Sequence, residues 1–207
     1  MKRIKLNTKV VALAIALASL YNVGLKAQDD YLITKKDGKK IIVGTDAALG
    51  PDILYFNDKN SKRQEYRQKH VKFFTYGGRI FIGPSNSRYL EEIICYSDKF
   101  ILTSYTESGS GGFAYYAVYD WTLKELSTHN RQDFGGMWGG GKPKKIEKLR
   151  KVLEPYFGDC KSIMDKMIAN INSDNLLFKE LFVEKCGTKD ISEFLKAFLS
   201  GQIDNTK

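Results

Sequence analysis

His70-Val71-Lys72-Phe73-Phe74-Thr75-Tyr76-Gly77-Gly78-Arg79-Ile80-Phe81-Ile82 is a pair of apolar-rich runs joined by two glycines. Apolar and aromatic residues at period two argue for strands, and a Gly-Gly pair between them supplies the positive backbone angles of a tight hairpin turn. Working outward, the same grammar repeats. Tyr31 to Lys35 and Lys39 to Val43 flank Asp37-Gly38, and Ile53 to Phe56 runs into the polar turn Asn57-Asp58-Lys59-Asn60. Tyr89 to Tyr96 and Phe100 to Thr106 flank Ser97-Asp98-Lys99, and Phe113 to Trp121 follows the loop Glu107 to Gly112. About eight strands follow one another with no helix-period segment between them. That order predicts an antiparallel meander, as an open twisted sheet or a partly closed barrel.

The period changes after Gly135-Gly136-Met137-Trp138-Gly139-Gly140-Gly141. Pro143 stands where a helix favours its first turn, and Ile146, Leu149, Val152 and Leu153 recur at three and four until Pro155 and Gly158. Ile163, Met164, Met167, Ile168 and Ile171 form a second apolar stripe. Leu177, Phe178, Leu181 and Phe182 form a third, and Ile191, Phe194, Leu195 and Phe198 a fourth that Gly201 closes. The predicted fold is therefore α+β, a meander-like sheet followed by a helical tail that packs on it. The expected boundaries are residues 1–27 as a leader, 28–134 as the β-rich region, 135–142 as a glycine-rich connector, 143–200 as the helical region and 201–207 as a tail.

The leader is expected from charge and length. Lys2, Arg3, Lys5 and Lys9 precede the apolar run Val10 to Leu20, and Leu25-Lys26-Ala27 offers a small residue for cleavage before Gln28. This is the order of a secretory signal, and the run is too short for a bilayer span, which needs roughly 20 apolar residues. A periplasmic or secreted protein with no transmembrane anchor after cleavage is the expectation. Five of the 33 basic residues and none of the 24 acidic ones lie in the leader, so the remaining chain carries +4 where the whole carries +9. So small an excess does not make a nucleic-acid footprint, and nucleic acid is not an expected partner.

Three cysteines outside the cytoplasm permit one disulfide. Cys160 and Cys186 each fall on an apolar stripe, thirteen residues either side of Ser173, which would centre a helical hairpin. At about 1.5 Å rise per residue both then stand at one height, so a Cys160–Cys186 bridge is predicted, with Cys95 left free.

The candidate chemistry is sparse. Gly136 to Lys142 matches the G-x-x-x-x-G-K part of a phosphate-binding loop, but Pro143 follows the lysine, with no hydroxyl for magnesium and no N–H for phosphate. Glu91 and Glu92 are adjacent on a strand and so point to opposite faces, which excludes them as a carboxylate pair. Cys95 with His70 or His129 is the one nucleophile-and-base combination available, and its thiol follows Ile93 and Ile94 as a small core residue would. No close pair of metal ligands occurs, and neither a metal nor a cofactor is expected. Lys142, Lys144, Lys145, Lys148, Arg150 and Lys151 give the first tail helix a basic face suited to solvent or to an anionic surface.

The strand from Phe113 to Trp121 alternates Phe113, Tyr115, Ala117, Tyr119 and Trp121 on one face. Planar rings with polar tips make a platform for a sugar or peptide, so Tyr115, Tyr119, Trp121 and Trp138 are the candidate binding residues. No catalytic residue is assigned.

A leader ending at Ala27-Gln28, then Tyr31-Leu32-Ile33-Thr34-Lys35-Lys36-Asp37-Gly38, Val71-Lys72-Phe73-Phe74, and a tail with Tyr156-Phe157-Gly158-Asp159-Cys160 and Cys186, resembles small exported proteins of the Bacteroidota whose function is unknown. The resemblance implies a Gram-negative envelope or secreted location. It carries no catalytic motif. The expected function is a non-enzymatic envelope or secreted module that binds a glycan or protein partner. The alternatives are an exported hydrolase with a dispersed site and a small toxin or immunity-type protein.

Overall fold

The computed structural model describes residues 30–50, 52–106, 114–130, 141–172 and 184–203. The expected antiparallel sheet is present, is open, and is followed by helices. Strands β1 (Tyr31–Thr34), β2 (Lys40–Ile42), β3 (Ala48–Leu49), β4 (Ile53–Asn57) and β5 (Arg63–Arg67) come first. A short 3-10 turn, Gln68–His70, leads to β6 (Val71–Tyr76), β7 (Arg79–Ile82), β8 (Glu91–Ser97), β9 (Phe100–Thr106), β10 (Ala114–Asp120) and β11 (Glu125–Asn130). Helices α1 (Lys142–Phe157) and α2 (Lys161–Asn172), strand β12 (Glu184–Cys186) and helix α3 (Ile191–Ser200) complete the order.

The main sheet runs β11-β10-β9-β8-β7-β6-β1-β2, all antiparallel, and β3-β4-β5 form a second, small sheet. The Gly77-Gly78 turn has positive φ at both glycines, 58° and 78°, which closes β6 onto β7 with Tyr76 opposite Arg79. β12 joins parallel to β8, opposite Cys95 to Ser97, on the edge that β7 leaves after pairing with Glu91 and Glu92. A bulge between Ile93 and Cys95 turns both Ile94 and Cys95 to one side, and every residue of β8 is buried.

The sheet has two covered faces. On one, Ile94, Leu102, Tyr116 and Val118 meet Leu149, Leu153 and Phe157 of α1 and Ile163 and Met167 of α2. The other half of that face, with Leu32, Phe74 and Phe81, is covered by Leu54 and Phe56 of the small sheet. On the opposite face Ile93, Ile101, Ala117 and Tyr119 meet Phe194, Leu195 and Phe198 of α3. A sheet buried on both sides explains why the apolar runs of β8 and β9 are nearly continuous rather than alternating.

α1 begins with Pro143 in its first turn, as expected. It ends at Gly158, within the expected Pro155–Gly158 stop, with Pro155 inside the last turn and the Phe157 side chain wholly buried beside the ring of Phe100. Packing of the last turn outweighs the one backbone hydrogen bond that a proline forfeits. α3 opens on Asp190, whose carboxylate accepts the Ser192 N–H at 2.8 Å, and closes at Gly201 in the left-handed region.

The Cys160–Cys186 disulfide is present, with Cα atoms 5.7 Å apart, and Cys95 is free and buried. Its setting corrects the helical-hairpin argument: Cys186 lies on strand β12, and Cys160 lies between α1 and α2. The bridge thus ties the helical layer to the sheet through β12. A second tie is Asp98, whose carboxylate accepts the N–H groups of Thr188 at 2.7 Å and Lys189 at 2.8 Å. Those bonds hold its carboxyl below the usual range. Gly187 makes this approach possible, since a Cβ there would stand 2.4 Å from the Asp98 carboxyl and its φ is +107°. The third apolar stripe, Leu177 to Phe182, lies outside the described residues.

Candidate functional site

Tyr115, Tyr119 and Trp121 share the face that α3 covers, and they are not brought together as one platform. Tyr119 is buried, its hydroxyl donating to the Glu91 carboxylate at 3.1 Å. Trp121 is pinned by its indole N–H, which donates to the Ser97 carbonyl at 3.1 Å, and by edge-on contacts with Phe194 at 5.9 Å and Tyr96 at 6.0 Å. The Lys189 ammonium lies 4.7 Å over its ring. These contacts lock α3 to the sheet. Tyr115 is half-buried and stacks on Tyr105, which stacks on Tyr89, with centroids 5.3 and 5.8 Å apart. Trp138 lies outside the described residues.

On the same side of the sheet as α3 sits a buried polar centre that the sequence did not announce. Glu91 accepts the Thr103 hydroxyl at 2.8 Å as well as that of Tyr119, and its side chain is nearly inaccessible. Burial pushes its carboxyl up to about 7 despite the hydroxyl donors, among them Ser87, that favour the charged form. Burial likewise raises Tyr119. Glu92 points to the opposite face, as the alternation requires, and forms a two-pronged ion pair with Arg79, Nε to Oε1 at 2.6 Å.

That ion pair forms part of the floor of a groove of about 680 Å³ between the small sheet and the main one. Phe74, Tyr76, Arg79, Phe81, Glu92 and Ser104 are its floor, brought to one face by the direct pairings Phe74–Phe81, Tyr76–Arg79, Phe81–Glu92 and Glu92–Ser104. Residues 47–50, Gln68 and Leu90 are its wall. Gln68, 4% exposed, ties the parts of the wall together: its amide donates to the Gly50 carbonyl at 2.7 Å, and its Oε1 accepts the Leu90 N–H at 2.7 Å, just before β8.

β3 ends the small sheet on the groove side. The Gly50 N–H donates to the Ile53 carbonyl at 2.8 Å, which makes Gly50–Ile53 and Ala48–Tyr55 the bonded pairs and Leu49–Leu54 a non-bonded one. The N–H and C=O of Leu49 therefore turn away from β4, and its side chain is 37% exposed. A free strand edge beside a mixed aromatic and polar floor can accept an extended chain. A smaller cavity of about 350 Å³ lies against the disulfide, beside Asp98, Tyr156 and Cys186.

The cysteine–histidine combination is not assembled. Cys95 has no exposed surface and burial raises its thiol well above the ordinary range. His129 is on β11, three strands from β8, which at about 4.8 Å per strand separates the backbones by about 14 Å. His70 is exposed on the turn before β6, with β7 between β6 and β8. Among the described residues no group of three His, Cys, Asp or Glu is placed to hold a metal. No described helix is long and apolar enough to cross a membrane.

No family model matches the chain, and no curated protein or solved structure does.

Proposed function

We propose that this protein is an exported, non-enzymatic binding module, and that the groove between β3 and the main sheet holds an extended peptide segment of a partner. The observation that carries this reading is the free edge of β3, with the Leu49 N–H and C=O turned away from their own sheet beside a groove of about 680 Å³. An added strand would take its main-chain hydrogen bonds from Leu49, while Tyr76, Ser104 and the Arg79–Glu92 pair would receive alternate side chains. The disulfide supports the exported half of the reading, since such bonds persist in oxidising compartments. The part of the aromatic strand face around Tyr119 and Trp121 serves stability in this reading, because α3 packs against it.

Selection of a random peptide library on the immobilised protein tests the reading. Enriched peptides should share an apolar or aromatic residue at every second position. Leu49→Trp and Ser104→Trp, which fill the groove from wall and floor, should each weaken them at least about tenfold, or roughly 1.4 kcal/mol. Selected peptides that bind both variants as well as wild type, or a library that yields none, would overturn it.

A further inference from the structure

We infer that the outer face of α1 is an electrostatic docking surface for an anionic phospholipid membrane. α1 turns Leu149, Leu153 and Phe157 into the core, and along its solvent side Lys144, Lys148 and Lys151 recur at four and three residues. At about 1.5 Å per residue they form a line about 10 Å long, with Arg150 exposed on the same helix. All three lysines are exposed, and none pairs with a carboxylate among the described residues. The lysines of α2 differ: Lys161 is paired with Asp165, and Lys166 with Glu184.

The charge is concentrated in this one element. From 142 to 157 there are six basic residues and two acidic ones, Glu147 and Glu154, while the rest of residues 28–207 holds 22 of each sign. The whole +4 of that span therefore resides on one helix in the outermost layer of the protein. Neighbouring positive charges within a Debye length, about 10 Å at 0.1 M salt, add their attraction to an anionic plane.

The kind of anion follows from the shape. The line lies on the convex side of a helix, not in a groove that would follow a strand of nucleic acid, and no exposed ring stands among the lysines to stack a base. Its members are ammonium groups, which meet phosphate as point charges and need no fixed fork geometry. No large apolar residue is exposed on α1, so attachment rests on charge alone, without insertion. Such a contact with lipid headgroups must reverse with salt.

The test is cosedimentation of the full chain with phosphatidylcholine vesicles and with mixed phosphatidylglycerol–phosphatidylcholine vesicles. Each basic residue near an anionic surface contributes about a factor of five in partitioning, so Lys144→Glu/Lys148→Glu/Lys151→Glu should lower binding to the anionic vesicles at least roughly 100-fold. The matching Gln variant should show a smaller loss. Lys59→Glu/Lys62→Glu/Lys69→Glu, the same change of net charge on exposed residues of other elements, should retain most of the binding. Raising salt to about 1 M, where the Debye length is about 3 Å, should release the wild type. Glu is a good helix former at exposed positions, and an unchanged near-ultraviolet circular dichroism spectrum verifies the fold of each variant. Equal binding to both vesicle types, equal losses in the two Glu variants, or retention on a sulfated polysaccharide with none on vesicles would each overturn the assignment.

Discussion

Replacing Glu91 by Gln should stabilise the protein at neutral and alkaline pH. The Glu91 carboxyl is buried between Thr103 and Tyr119, and burial lifts it from 4.5 to about 7. Between those two values the folded state holds a proton that the unfolded state has lost, so the contribution of Glu91 to stability falls as pH rises and is fully lost above about 7. At 1.36 kcal/mol per unit the loss is about 3 kcal/mol between pH 4.5 and pH 7. Gln carries no charge: its carbonyl keeps one of the hydroxyl donors, and its amide N–H can donate to the oxygen of the other hydroxyl, which turns to accept. Urea unfolding of both proteins from pH 4 to pH 8 isolates the effect, because every other titrating group cancels in the difference. The difference should stay constant up to about pH 4.5, rise in favour of the variant by about 3 kcal/mol, and level off above about pH 7. A difference independent of pH, or one that favours the wild type at pH 8, would refute the account of Glu91 as a carboxyl desolvated without a countercharge.

Two further changes test the layers. Removing the bridge with Cys160→Ala/Cys186→Ala reopens a loop with a sequence separation of 26 and should cost about 3–4 kcal/mol in the chain-entropy model, read as a lower urea midpoint. Its hydrogen-exchange signature should centre on β12 and the segment that Asp98 holds, leaving β9 and β10 protected. Phe157→Ala empties a fully buried site between α1 and the sheet and should cost about 3–5 kcal/mol, measured by the same unfolding.

The meander was legible where strands are buried. β6, β7, β8, β9 and β10 carry apolar residues on one or both faces, and the Gly77-Gly78 turn marks a hairpin by composition alone. β5, Arg63–Arg67, and β11, Glu125–Asn130, escaped notice because their residues are nearly all polar. Outer strands are held by main-chain hydrogen bonds that leave no apolar trace in sequence. β12 was read as helix because Cys186 fell in phase with Phe178 and Phe182. The Cys160–Cys186 bridge is present although Cys186 stands on a strand paired with β8, so the hairpin spacing that predicts it is not what brings the two cysteines together.

The candidate site was less legible. An aromatic strip reads the same whether a ligand or a helix of the same chain covers it, and the apolar stripe of α3 supplied the cover. The groove could not be read at all, because its floor depends on cross-strand register and its wall on Gln68, a residue with no signature of its own. The basic line on α1 was readable as periodicity. Its exposure, and the pairing of the lysines on α2, came only from packing.

The central claim, that β3 offers its edge to a peptide, is tested most directly by amide hydrogen exchange at Leu49 with and without a peptide selected on the protein. The account predicts rapid exchange in the free protein, where this N–H turns away from β4, and slow exchange when the peptide is bound. Unchanged exchange at Leu49 under saturating peptide, with protection appearing elsewhere, would contradict it.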